Sequence, residues 1–344
     1  MLIIGTIVGA GLASGQEIVV FFAQYGFVSV FFIVPIFLIF FFGVKQFLCF
    51  GANGYAVEFK DNKGLKIFEN LSFAIFVIVS ASMLAGANEL LSQTIYNFGF
   101  PVWSLILIVI STLIINFGIK GLLNLNFWLV PIIIFGIIFV CIKGTSVSTL
   151  SSPAFSTDIS SLAILSLSSI SYCSFNLVTA NKVLSDSGAN LSKKQAKSVA
   201  LVVAFVISAL IGVIIVSILI NDSAILYANL PLVYLSFLIN KPIGVMFSLV
   251  LFFSIITTIF SAQYSIVNLL SSSKFFKEKN GRKVFSSILS ALLILCVSFL
   301  GFGKIIEYAY PIVGAIGFVM FFHVRSLSLK SSFNSANNKI HSSR

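Results

Sequence analysis

The segment Gly5-Thr6-Ile7-Val8-Gly9-Ala10-Gly11-Leu12-Ala13-Ser14-Gly15-Gln16-Glu17 interrupts a long apolar stretch near the start of the chain. Four glycines among thirteen residues weaken an α-helix, and its polar side chains are costly to expose to lipid. Its glycine pairs also have the spacing of close helix packing, which is the alternative interpretation. Packing alone does not account for Gln16 and Glu17, so we predict that the helix unwinds around residues 9–14.

The composition of the whole chain is that of a membrane protein. Of its 344 residues, 58% are hydrophobic and 9% are charged, and the mean hydropathy is +1.10. A soluble domain has about 25% charged residues, whereas one membrane-spanning helix needs roughly 20 apolar residues. Continuous apolar runs, which do not alternate as outer-membrane strands do, predict an all-α polytopic membrane protein. The predicted spans are 1–24, 27–48, 66–97, 101–119, 122–143, 160–184, 198–220, 241–272, 284–302 and 304–325.

The basic residues lie in the short loops between these spans. The net charge of +11 is therefore spread over many loops and does not form the single basic face that nucleic-acid binding requires. The expected partner is the lipid bilayer. One side of the predicted topology carries 18 Lys and Arg residues and the other carries three, Lys143, Lys241 and Lys304. By the positive-inside rule, we expect both termini to be cytoplasmic and the protein to lie in the cytoplasmic (inner) membrane.

The two sets of five predicted spans share one layout. Each begins with a polar helix, and its longest loop (49–65 and 221–240) precedes its longest helix. We predict one transmembrane domain, 1–325, with repeat one at 1–143 and an inverted repeat two at 160–325, as in many secondary transporters. Ten spans by coincidence is the alternative. Residues 221–240 are expected to form a re-entrant outer lid, and residues 326–344 a disordered cytoplasmic tail.

Segment 5–17 resembles the first helix of YkvI-like membrane proteins, a family placed in the amino acid–polyamine–organocation transporter superfamily. The resemblance implies a LeuT-type fold, with ten transmembrane helices in a 5+5 inverted repeat and discontinuous helices 1 and 6. It implies transport more firmly than it implies a substrate. The sixth span should be interrupted in its serine-rich stretch 166–176, with tight helix packing as the alternative.

Residues Phe252-Phe253-Ser254-Ile255-Ile256-Thr257-Thr258-Ile259 resemble the segment that binds sodium in sodium-coupled members of this fold. The alternative is that both threonine hydroxyls hydrogen-bond to the preceding helical turn. Sodium or a proton is the expected coupling ion, and no other cofactor is expected. The implied sodium ligands are the side-chain oxygens of Thr257 and Thr258 and the carbonyl oxygens of Ser254, Gly5 and Val8.

The substrate site is expected at the interrupted first helix. Free backbone amides there suit an anionic group, and two intramembrane acids, Glu17 and Glu89, without basic residues at the same depth suit an amine or proton coupling. The candidate substrate-binding residues are Gly9, Gly11, Ala13, Ser14, Gly15, Gln16, Glu17, Asn88, Glu89, Tyr172, Ser174 and Asn176. In the tenth span, a hinge and gate is expected at Tyr308, Tyr310, Pro311, Gly314 and Gly317. The alternative, which explains these residues equally well, is that the aromatic side chains lie at the membrane interface and the glycines allow close helix packing.

These features predict a secondary active transporter, such as a symporter, of an amino acid or related amine. A non-transporting membrane sensor on the same fold is the alternative, and an enzyme is not expected. The protein should be a monomer or homodimer. The short lead before Gly9 suggests a truncated first helix or a start site placed too far downstream. Free, buried thiols are expected at Cys49, Cys141, Cys173 and Cys296.

Overall fold

The computed structural model describes residues 2–52, 63–117, 122–147, 159–189, 191–221, 223–272 and 282–321. The regular structure of these residues is helical, which confirms the all-α prediction. The predicted tail 326–344 lies outside the described residues. The helices are α1 Leu2–Ile7, α2 Ala10–Ser14, α3 Gln16–Phe21, α4 Val28–Phe31, α5 Ile33–Ala52, α6 Lys63–Thr94, α7 Val102–Phe117, α8 Leu122–Gly144, α9 Ile159–Thr179, α10 Asn181–Gly188, α11 Lys193–Leu219, α12 Ala224–Tyr227, α13 Pro231–Ile239, α14 Lys241–Ser272, α15 Arg282–Ser298 and α16 Phe302–Phe321.

Six helical segments are long and apolar enough to cross a membrane, among the residues described. Large apolar side chains such as Trp128, Phe135 and Phe205 are exposed on the outside of the bundle. Since such a surface is stable only against lipid, the protein is an integral membrane protein. The six segments are Val28–Ala52, Leu71–Thr94, Leu162–Thr179, Lys193–Leu219, Lys241–Ser271 and Phe302–Phe321, and Val102–Asn116 and Trp128–Gly144 are shorter apolar helices.

The glycine-rich first segment forms three short helices instead of one. Gly9, between α1 and α2, is extended (φ −72°, ψ −179°), and Gly15, between α2 and α3, has φ +83°, which favours glycine. The prediction that residues 9–14 unwind is therefore corrected, because α2 itself is helical. The Ser14 hydroxyl stabilises its end by donating to the Gly11 carbonyl at 2.7 Å and accepting from the Gln16 amide at 3.2 Å.

The predicted interruption in the serine-rich stretch of the sixth span is wrong. Helix α9 runs without a break from Ile159 to Thr179. The Ser166 and Ser169 hydroxyls donate to carbonyls one turn earlier, at 2.8 and 2.7 Å. Serine hydroxyls bonded within the helix are compatible with its continuation. The chain leaves the helix first at Ala180, before α10.

Two groups of helices pack among themselves. In one group, α6 lies along α14, and both contact α15, which also packs on α7. In the other, α5 packs on α11, α10 and α9. Helices α5 and α10 approach each other so closely that a side chain at Gly51 or Gly188 would overlap the facing backbone.

The stretch predicted as a lid folds back onto the bundle. Helix α13 buries Leu232, Val233 and Leu235 and packs against α14, α8 and α2. A Cβ atom at Gly15 would lie 3.0 Å from Leu232 Cγ. Residues 223–240, named here the lid, therefore cover the turn between α2 and α3.

Candidate substrate site

The Glu17 carboxyl group is buried beside the interrupted first helix. Glu17 is the second residue of α3, and its side chain is only 5% exposed. The left-handed turn at Gly15 directs this side chain back onto α2, where a Cβ atom at Gly11 would overlap Glu17 Oε1. The absence of a side chain at Gly11 therefore creates the space that the carboxyl group occupies.

Tyrosines from two other helices face this carboxyl group. Tyr172 of α9 and Tyr310 of α16 both lie close enough to Glu17 to interact with it electrostatically. The buried Tyr172 hydroxyl approaches the Glu17 carboxyl group as a hydrogen-bond partner, although the two groups are not aligned as in a regular hydrogen bond. The Tyr310 hydroxyl shares a hydrogen bond with the Ser82 hydroxyl of α6. Glu17 thus lies where the first, third, sixth and tenth predicted spans meet.

Aromatic rings enclose the same region. The Tyr172 ring centroid is 5.2 Å from those of both Phe21 and Phe22, and the Phe175 and Tyr310 rings stack at 4.3 Å. In the described part of the chain, no basic side chain contributes to the electrostatic surroundings of Glu17. A buried carboxylate without a counter-charge has a large desolvation penalty, so this site favours a proton or a cation at Glu17.

The other predicted residues of the first segment lie beside Glu17, with different roles. Ala13 is buried, and Ser14 uses its hydroxyl for the backbone bonds described above. Gln16 Oε1 is buried without a hydrogen-bond partner among the described residues. Its Nε2 points towards Gly303 at the start of α16, where a Cβ atom would lie 3.9 Å away.

Three residues of the sixth span were predicted to bind substrate. Of these, Tyr172 is the one that interacts with Glu17 among the described residues. The Asn176 side chain donates to the Tyr172 carbonyl at 3.0 Å, within α9. The Ser174 carbonyl lies 2.9 Å from where a Cβ atom at Gly317 would be. Ser174 and Asn176 are both buried, and the absence of a side chain at Gly317 allows α16 to pack closely on α9 at Ser174.

The predicted hinge residues of the tenth span divide in a similar way. Tyr310 reaches the site, whereas Tyr308 is exposed. The Ser171 hydroxyl donates to the Pro311 carbonyl at 2.9 Å, and Gly314 lies directly against Ser171. Residues Ile305–Ala309, just before Tyr310, form a π-helical turn, a feature often found at functional sites. A hinge in this helix stays a prediction.

Asn88 and Glu89 lie apart from Glu17, near the end of α6. Glu89 is half-buried, and its Oε1 accepts hydrogen bonds from Gln93 Nε2 at 2.8 Å and from Asn229 Nδ2 of the lid at 3.1 Å. Asn88 and Glu89 line a cavity of about 320 Å³ together with Ser92, Gln93 and Asn97. The two predicted acids are therefore in different surroundings, Glu17 enclosed and Glu89 beside the lid. Asn229 was not predicted from the sequence, where nothing distinguishes it from other lid residues.

The predicted sodium ligands come from helices that contact each other. The Thr257 and Thr258 hydroxyls donate to the Ser254 carbonyl, at 3.0 and 2.9 Å. These are the hydrogen bonds to the preceding helical turn that were predicted from the sequence as the alternative to sodium binding. The helical hydrogen bonds of α1 end with Val8 N to Ile4 O, and those of α2 begin with Ala13 N to Gly9 O. Gly5 lies within α1 and Val8 directly follows it, while the neighbouring α2 packs on α14, the helix that carries the two threonines. These hydroxyl and carbonyl oxygens are chemically suited to a hard cation such as sodium.

The cysteines are unpaired, as predicted, but they are not all buried. Cys141 and Cys173 are buried, Cys49 is half-buried, and Cys296 is exposed on the apolar surface. The prediction of four buried thiols is corrected at Cys49 and Cys296, because α5 and α15 present these positions towards the outside of the bundle.

The arrangement of helices is that of the LeuT-type transporter fold. The structure is similar to that of MhsT in complex with L-phenylalanine, with a TM-score of 0.65 and 16% sequence identity, covering 93% of this chain and 86% of MhsT. It is also similar to Mhp1, a nucleobase-cation-symport-1 family transporter in a closed conformation with bromovinylhydantoin bound. That comparison has a TM-score of 0.54 and 14% identity and covers 94% of this chain and 78% of Mhp1. The chain therefore shares its fold with a transporter, Mhp1, in agreement with the fold predicted from the sequence.

The sequence itself is similar to that of a bacterial membrane protein. It is 26% identical to YkvI of Bacillus subtilis (strain 168), in an alignment that covers 91% of this chain and 90% of YkvI. No protein-family model matches the chain. The similarity to YkvI extends over most of the chain, which confirms the resemblance seen in segment 5–17.

Proposed function

We propose that this protein is a secondary active transporter of a small organic solute, an amino acid or a related amine. The observation that carries the proposal is the buried Glu17 carboxyl group at the interrupted first helix, in a fold shared with two transporters. In transporters with inverted repeats, such an interrupted helix binds the substrate near the middle of the membrane. MhsT with L-phenylalanine and Mhp1 with bromovinylhydantoin both bind small organic molecules, which supports a substrate of this size.

The proposed topology is ten spans in two inverted repeats of five. The first repeat comprises α1–α3, α4–α5, α6, α7 and α8, and the second comprises α9–α10, α11, α14, α15 and α16. Spans 1, 2, 6 and 7 form a moving bundle, and spans 3, 4, 8 and 9 form a scaffold. The packing of α5 with α9, α10 and α11, and of α6 with α7, α14 and α15, supports this division. The interruption of the first span at Gly9 and Gly15 supports the discontinuous first helix.

Alternating access then exposes Glu17 to each side of the membrane in turn. With both termini in the cytoplasm, the lid and Glu89 face outwards. Because the Glu17 side chain is only 5% exposed, a conformational change is needed to reach it from either side. Coupling is to sodium at Thr257 and Thr258, or to a proton at Glu17.

Counterflow in proteoliposomes tests the proposal directly. Purified protein is reconstituted into vesicles preloaded with one unlabelled amino acid or amine, and uptake of the same labelled solute is measured. We expect uptake that exceeds that of protein-free vesicles and that is abolished by Glu17→Gln. Binding without counterflow for every solute in the panel would instead identify a membrane sensor on this fold.

A further inference from the structure

We propose that the site recognises its substrate through an ammonium group at Glu17 and requires no carboxylate on the substrate. The substrate class is then organic amines, with amino acids accepted only as far as their amino group allows. This inference rests on the proposed function, because it concerns the same site. Its geometric basis is the position of the Glu17 carboxyl group against α2 at Gly11.

An amino acid brings two charges that a buried site must satisfy. Beside α2, the space left by Gly11 is already filled by a carboxyl group of the chain itself. A substrate carboxylate placed at the same point of the broken helix would lie next to this carboxyl group, and like charges at such short distances repel strongly. Within the described residues, no Lys, Arg or His faces Glu17 that would bind the second carboxylate. In the part of the chain described, the surroundings of Glu17 therefore offer no positively charged side chain to an anionic group.

The same surroundings suit an ammonium group. Its positive charge compensates the buried carboxylate, and its three N–H groups each need an acceptor. The carboxylate supplies acceptors, and the oxygen of the buried Tyr172 hydroxyl, which lies beside this carboxylate, supplies another. Tyr172 packs against Phe21 and Phe22, and Tyr310 stacks on Phe175, so both tyrosines that interact with Glu17 belong to aromatic clusters. Aromatic rings attract organic cations.

Matched sets of three ligands separate the contributions of the two charged groups. The first set is L-phenylalanine, 2-phenylethylamine, which lacks the carboxylate, and 3-phenylpropanoate, which lacks the amine. The second is L-leucine, 3-methylbutylamine and 4-methylpentanoate. Dissociation constants are measured by calorimetry on the purified full chain. We expect each amine to bind at least as tightly as its amino acid, and each acid to bind at least about tenfold more weakly than the amine, a difference of about 1.4 kcal/mol.

Two pairs of variants connect this preference to Glu17. Glu17→Gln keeps the size of the side chain and removes its charge, so amine binding should weaken at least about tenfold. Its control is Asp186→Asn, which neutralises an exposed acid in α10 and should leave amine binding unchanged. Gly11→Ala should also weaken amine binding, because its methyl group would displace the carboxyl group. Its control is Gly136→Ala in α8, where the new Cβ atom makes only an ordinary 3.6 Å contact with Phe247.

The outcomes distinguish this inference from the proposed function. Binding and counterflow of the amino acids, with both amines inert, would overturn amine recognition and leave the transporter proposal intact. Binding of amines that depends on Glu17, without counterflow, would support the inference and contradict transport. Amine binding that is unchanged in Glu17→Gln, or no amine binding at all, would overturn the inference.

Discussion

Asn229 of the lid donates a hydrogen bond from Nδ2 to Glu89 Oε1 of α6, across 3.1 Å. The same oxygen accepts from Gln93 Nε2 at 2.8 Å, so the lid is joined to an acid that is already held in place by its own helix. The lid also covers the turn at Gly15, whose φ of +83° directs Glu17 into the site. The hydrogen bond between Asn229 and Glu89 therefore connects the cavity beside Glu89 with the lid that covers the turn leading to Glu17.

Asn229→Ala should make the lid open more often. A hydrogen bond contributes about 1 kcal/mol, so the open population should rise about fivefold. The measurement is the labelling rate, by a membrane-impermeant maleimide, of a Leu230→Cys reporter in a chain whose native cysteines are replaced by alanine. Leu230 is itself a residue of the lid, and its side chain is only 1% exposed when the lid is closed.

The matched control for the lid is Asn97→Ala. Asn97 lines the same cavity, but its side chain accepts a hydrogen bond from Gly99 N and does not bond to the lid. Labelling of the reporter cysteine should not change in this variant. Equal labelling rates in the reporter chain with and without Asn229→Ala would show that the bond to Glu89 does not hold the lid closed.

Gly11→Ala should destabilise the protein through Glu17. The added methyl group would overlap the carboxyl oxygen, and forcing an extra carbon into a packed interior costs about 1–3 kcal/mol. The midpoint of thermal unfolding in detergent should fall, whereas Gly136→Ala should leave it unchanged or slightly higher. Adding Glu17→Ala to Gly11→Ala should recover part of the loss, because the overlapping group is gone. A double variant as unstable as the sum of its two single variants would contradict direct contact.

The sequence predicts the long helices well because their apolar runs are long and continuous. The predicted eighth span, 241–272, has the same bounds as α14, and the third, 66–97, lies within three residues of α6 at each end. Helix interruptions are harder to predict. Glycine spacing marked the first interruption but did not show that residues 10–14 stay helical between Gly9 and Gly15. In α9, hydroxyls that bond within the helix removed the need for any break.

The site is less accessible to prediction than the fold. Sequence reasoning selected Gly11, Glu17 and Tyr172 individually, each for its chemistry. The contact between Gly11 and Glu17 depends on the left-handed turn at Gly15, and that of Glu89 with Asn229 joins positions far apart in the chain. Such contacts are set by how the helices pack, and no local pattern encodes them.

The topology predicts which loops are accessible from each side of the membrane. The bias of 18 basic residues to three predicts that the start of α11 is cytoplasmic. Lys194→Cys, exposed at this helix end, should be labelled by an impermeant maleimide only after the cells are permeabilised. Asn97→Cys, exposed at the opposite end of the bundle, should be labelled in intact cells. Labelling of the Lys194→Cys variant from outside intact cells would contradict the inverted repeat.

Thr258→Val should raise the sodium concentration needed for half-maximal uptake. Valine has the shape of threonine but removes a hydroxyl oxygen, and this oxygen lies within hydrogen-bonding distance of the Ser254 carbonyl, at 2.9 Å. A hard cation between α2 and α14 would lose one ligand, so half-maximal uptake should require several-fold more sodium with little change in unfolding temperature.

Thr94→Val is the control, because Thr94 makes the same type of bond, to the Leu90 carbonyl at 2.7 Å, on the exposed end of α6. If uptake by the wild-type protein and by Thr258→Val depends equally on sodium, Thr258 is not a ligand. If neither depends on sodium, the coupling ion is a proton.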